Sequence, residues 1–185
     1  MANELKHWRA YISHLEGRKP HPELATFYAR YKFAFNFEGI NVKGMAPGSL
    51  QIYGLVSKIA LAYSALECLE KYTQSPPSPS IFAPDLARRA KSKLPLGELG
   101  LEKRMFLTSA LRQRIRRLFE GSDDTDVRPI VEQFRHSFFH GKFTPAGWGL
   151  GSGKDSLEWL EGLAQVTLRK ADDTFTEWFL SQAKN

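Results

Sequence analysis

Apolar side chains recur along most of this chain at steps of three and four residues, the spacing that lines one face of a helix. Leu5, Trp8, Ile12 and Leu15 predict a first helix, which Pro20 and Pro22 interrupt. A second segment, Glu23 to Phe37, is rich in aromatics; Phe33, Phe35 and Phe37 alternate in strand fashion, but the run as a whole reads as helix. Gly39, Gly44, Pro47 and Gly48 mark a loop, after which Ser49 is the expected N-cap of a third helix. In that helix Ile52, Val56, Ile59, Tyr63 and Leu66 form a stripe, widened by Leu55, Ala62 and Leu69. A helix apolar over most of its circumference belongs at the centre of a bundle.

The prolines and serines from Ser75 to Pro84 read as an exposed loop, and a short basic segment, Leu86 to Lys93, ends before Pro95 and Gly97. From Leu101 to Phe119, Leu101, Met105, Leu111, Ile115 and Leu118 face one way. Gly121 closes that helix, and Asp126 and Pro129 suit the first turn of the next, in which Ile130, Val131, Phe134 and Phe138 face the core. Gly141 is placed to stop it, and Thr144 to Gly153 reads as a flexible loop. The last helix is expected near Asp155 with Glu158 as capping-box partner, carrying Leu157, Leu160, Ala164, Leu168, Ala171, Phe175 and Trp178 inward. The pattern predicts one all-α domain, a bundle of about five or six helices.

Composition agrees: 185 residues, 42% hydrophobic and 25% charged, suit one soluble globular domain. The most apolar run, Leu50 to Leu69, is broken by Gln51, Lys58 and Glu67, and Met1 to Arg18 holds no signal-peptide core, so a cytoplasmic chain with no membrane span is expected. The single cysteine, Cys68, has no internal disulfide partner and is expected to be a small buried residue. Charge changes the picture more. Ten basic residues against three acidic ones give Leu86 to Glu120 a net +7, while the whole chain is only +6. A concentrated basic region is the footprint of a surface that meets a polyanion, and Arg112, Arg114, Arg116 and Arg117 are the candidate nucleic-acid contacts. The plain alternative is a solvated helix face.

The chemistry concentrates in Arg135-His136-Ser137-Phe138-Phe139-His140-Gly141. Arginine offers a permanent charge and a fork of donors suited to phosphate, and histidine exchanges protons near neutral pH. On one straight helix His136 and His140 share a face, but Arg135 stands about 140° from His140. Convergence of the two therefore calls for a distorted helix end or for a second copy of the chain. Glu67 and Glu70 are the candidate carboxylate partners of Arg135, and Trp148, among glycines, is a candidate stacking or lid residue.

The spacing of Arg135, the polar His136, three intervening residues, His140 and Gly141, at the end of a penultimate helix, resembles the signature of the HEPN superfamily of small helical-bundle domains. The resemblance covers about Ser49 to Gln182, with the N-terminal helices over 3–37 packed on that core. It implies a metal-independent ribonuclease, acting as a homodimer, that leaves 2′,3′-cyclic phosphate ends. Arg135 would neutralise the transition state, His140 would serve as base or acid, and His136 would hold substrate or orient its neighbours; no cofactor is implied. RNA and an antitoxin or other partner protein are the implied partners. Three readings stand beside it: a non-catalytic RNA-binding or protein-interaction module, a zinc site on His136 and His140 lacking an evident third ligand, and two histidines satisfied within an aromatic core.

Overall fold

The computed structural model describes residues 5–74, 80–94, 109–121 and 125–182. Seven α-helices lie among them: α1 Trp8–His14, α2 Pro22–Phe35, α3 Pro47–Thr73, α4 Pro84–Lys93, α5 Ser109–Glu120, α6 Arg128–Phe139 and α7 Lys154–Gln182. The described residues contain no strand, so the fold is all-α. The count exceeds the expected five or six because the short basic segment forms a helix of its own, Pro84–Lys93. The first part of the helix expected from Leu101 to Phe119, residues 101–108 with Met105, lies outside the described residues, as do residues 75–79 of the Ser75 to Pro84 loop.

Helix α3 is the centre, packed along α2, α6 and α7. Its predicted stripe is buried throughout: Ile52, Val56, Ile59, Tyr63 and Leu66 are all core residues. By length and composition alone its 27 residues would suffice to cross a membrane, despite the polar interruptions; in the fold 61% of its most apolar window is buried against other helices. The helix begins two residues before Ser49, at Pro47, with Ala46 as N-cap. Proline suits that first position because its ring fixes a helical φ and it has no N–H to leave unpaired. Cys68 is half-buried rather than buried, and burial raises its thiol pKa.

Helices α1 and α2 pack on the C-terminal half of α7 through aromatic rings. Trp8 stacks on Tyr28 at 4.1 Å, and Phe175 lies 5.6 Å from Trp8 and 5.7 Å from Phe27. Tyr11, not Ile12, completes the buried face of α1; Ile12 is exposed. The strand-like alternation of Phe33, Phe35 and Phe37 comes from the end of α2 at Phe35, beyond which the chain is no longer helical.

Helix α4 is fastened to α7. Arg89 and Lys93 both pair with Asp155, and the Trp159 Nε1–H donates to the Leu86 carbonyl at 2.9 Å. Asp155 therefore sits inside the first turn of α7, tying down α4, rather than capping from outside. The approach is close: a Cβ on Gly162 would stand 2.8 Å from Leu86 Cδ2. An antiparallel bridge, Phe82 to Asp126, clips the segment before α4 to the segment before α6.

Candidate functional site

Helix α6 carries the Arg-His-x3-His stretch, and both of its ends are built to hold it. At the start, Asp126 Oδ1 accepts the N–H groups of Arg128 and Ile81, each at 2.9 Å, although Val127 holds the N-cap position. At the finish, the Lys142 N–H donates to the Ser137 carbonyl at 2.9 Å and the Gly141 N–H to the Phe138 carbonyl at 3.1 Å, with Gly141 at φ +65°. These are the two hydrogen bonds of a Schellman cap, which needs a left-handed residue where glycine stands. The helix is thus closed in order, and His140 occupies the cap, just outside the helical run.

Three motif side chains form a row. Arg135 Nη2 donates to Glu67 Oε2 at 2.8 Å, and its Nη1 lies 3.4 Å from His136 Nδ1. The His136 and His140 rings are 6.2 Å apart and 6° from parallel. His136 therefore neighbours both Arg135 and His140 within one chain. A guanidinium can only donate, so Nδ1 of His136 accepts and its ring proton sits on Nε2, which faces Glu132 Oε1 at 3.9 Å. Arg135 and His136 are half-buried, and His140 and Phe139 are exposed, with the Arg135 Cζ 5.8 Å from the Phe139 ring centroid.

Burial, followed by the charge of Arg135, lowers the His136 pKa below its ordinary 6.5, against the opposing pull of Glu132 and Glu67. The folded state therefore favours neutral His136. Stability contributed by that neutrality is present above pH 6.5 and is lost as pH falls through 6.5, levelling off below the folded pKa. Chemical unfolding of the wild type and His136→Gln between pH 8 and 5 is expected to show the wild type losing stability relative to the variant on acidification. A difference independent of pH would contradict this.

The arginines of α5 divide. Arg112, Arg116 and Arg117 are exposed, while Leu111, Ile115 and Leu118 are buried as the pattern predicts. Arg114, expected among the nucleic-acid contacts, is half-buried and turned toward α6, 3.0 Å from Asp126 and 3.8 Å from Glu132. On α4, Arg88 pairs with Asp85, and Arg89 and Lys93 share Asp155. The +7 segment is thus partly neutralised by acids from α6 and α7. Lys103 and Arg104 lie outside the described residues.

Two features escape a reading of the sequence. Glu70 does not serve Arg135; it forms a two-pronged pair with Arg128, at 2.7 and 2.6 Å, with both side chains over nine-tenths buried. Arg128 also lies over the Tyr63 ring at 5.5 Å, and burial raises the Tyr63 hydroxyl pKa. Helices α3 and α6 run antiparallel here, so Glu67 meets Arg135 and Glu70 meets Arg128. Trp148 is no lid: it is 1% exposed, stacked 4.8 Å from Phe134 and tilted 5.7 Å from Phe143, in a 3₁₀ turn, Ala146–Trp148, that anchors the expected flexible loop. Among the described residues no group of three or more His, Cys, Asp or Glu is placed to hold a metal ion. Comparison with family models, curated proteins and solved structures finds no match to this chain.

Proposed function

We propose that this chain is a HEPN-like ribonuclease that cleaves RNA without a metal ion, working as a homodimer. The observation that carries the reading is the solvent-reached row of Arg135, His136 and His140 at the closed end of α6. His136 is neutral but occupied at Nδ1, so it positions Arg135 and leaves the proton transfer to His140. His140 takes the proton of a ribose 2′-hydroxyl, the freed oxygen attacks the adjacent phosphorus, and the 5′-oxygen leaves with a proton from the partner subunit's His140. Arg135 neutralises the charge that gathers on the phosphoryl oxygens, and Glu67 holds its guanidinium in place.

Purified chain with EDTA and a mixed-sequence RNA is expected to give 2′,3′-cyclic phosphate ends, and the same oligonucleotide with 2′-deoxyribose is expected to stay intact. Absence of cleavage across a range of RNAs, or cleavage that EDTA abolishes, overturns the proposal. RNA association should weaken steeply with salt, and the triple variant R112Q/R116Q/R117Q should flatten the slope of log affinity against log salt by about one for each phosphate it no longer neutralises. An unchanged slope removes α5 from the interface.

One observation favours a second reading, a non-catalytic binding module: Arg135 and Arg114 both spend donors on carboxylates within the fold. That reading expects Arg135→Ala and His140→Ala to leave RNA or partner association intact.

A further inference from the structure

A large cleft lies away from the motif, where the residues after α2 cross the first half of α3 and the start of α7; its volume is about 790 Å³. That is within the range of small-molecule sites, about 300–1,000 Å³. Its walls show the apolar halves of side chains the core leaves half-buried: Phe35, Phe37, Leu50, Leu55 and Leu157. The segment holding Gly39 is pressed hard against α3, since a Cβ on Gly54 would stand 3.3 Å from the Gly39 Cα. A tight backbone seam on one side and open apolar surface on the other make this a shaped cleft rather than loose packing.

Its charge runs against that of the molecule. Three glutamates, Glu38, Glu158 and Glu161, line the cleft with one lysine, Lys58, in a chain of net charge +6. Lys58 is held 3.2 Å from Glu161, which also accepts from Gln165 at 2.7 Å, so that pair is neutral within itself. Glu158 is met by the exposed Lys154 at 3.7 Å, at the edge of the cleft. The remaining carboxylates line the same cleft as Phe35 and Phe37, and a carboxylate and an aromatic face each attract a cation electrostatically.

We propose that this cleft binds an organic amine: a small molecule with a cationic ammonium group directed to Glu38 and Glu158 and a flat apolar body laid against Phe35, Phe37 and Leu55. The site is independent of the ribonuclease reading, because it shares no residue with the motif. Its selectivity comes from charge sign, since an anion of the same shape would meet Glu38 and a Glu158 only partly offset by the exposed Lys154, in a partly apolar surround.

Tryptamine and indole-3-propionate, which carry the same ring with opposite charges, separate the charge contribution from the apolar one. Titration of the full chain by calorimetry, with backbone NMR shifts locating the binding, is expected to show tryptamine at least tenfold tighter, with shifts at Phe37, Gly54 and Leu157. The double variant E38Q/E158Q, which touches exposed side chains only, should weaken tryptamine at least tenfold and leave the folded signal intact. Leu55→Trp should fill the cleft and abolish binding of both. The proposal is overturned if the two compounds bind alike, if tryptamine shows no binding at millimolar concentration, or if its affinity survives in E38Q/E158Q.

Discussion

Arg128→Met, with Glu70 left in place, is expected to destabilise the fold by about 3–5 kcal/mol, the usual consequence of leaving one buried charge without its partner. The reason is local and complete. Arg128 opens α6, where a positive charge opposes the helix dipole, and both guanidinium prongs meet Glu70 where the two side chains are over nine-tenths buried. Glu70→Leu alone should cost a similar amount, because it strands the arginine instead. The double variant R128M/E70L, apolar on both sides, should recover most of the loss. Urea unfolding followed by circular dichroism measures all three; with a slope of about 1–3 kcal/mol per molar, each single variant should lower the midpoint by roughly 1–5 M. Singles within about 1 kcal/mol of the wild type would mean that water reaches the pair.

His140→Ala is expected to slow RNA cleavage by about 10²–10⁴, the range that a positioned acid or base contributes. The side chain is exposed at the cap of α6, so its removal should leave the unfolding midpoint nearly unchanged, which separates a chemical effect from a structural one. Arg135→Lys is the informative companion: it keeps the charge but loses the planar fork that now engages Glu67 and His136 together, so it should also fall well below wild type. RNA cleavage undiminished in His140→Ala would end the catalytic assignment and favour the binding-module reading.

Local periodicity carried the architecture. The stripe from Ile52 to Leu66 marked α3 as the central helix, because a helix that is apolar on most sides can only be satisfied by neighbours on most sides. Gly141 was legible as a stop because the left-handed turn that ends α6 favours a residue without a Cβ. The same reasoning erred where neighbours decide. Tyr11 replaced Ile12 on the buried face of α1 because Phe175 and Trp178 offer aromatic edges there. Trp148, isolated among glycines in sequence, was drawn into the core by Phe134 and Phe143.

For the site, the sequence placed Arg135, His136 and His140 together near one helix end, and it predicted a poor angle between the first and the last. Only the tertiary structure decided how that angle is managed. His136 neighbours both of them, and Glu67, one helix away, fixes the guanidinium. Likewise it chose Glu67 over Glu70 for Arg135, turned Arg114 inward, and assembled a cleft by bringing the start of α7 against residues 35–40 and the first half of α3. The division has one physical cause. Helix formation and capping depend on residues within a few positions of one another, which the sequence states directly, whereas a charge or a ring finds its partner through the register in which whole helices pack.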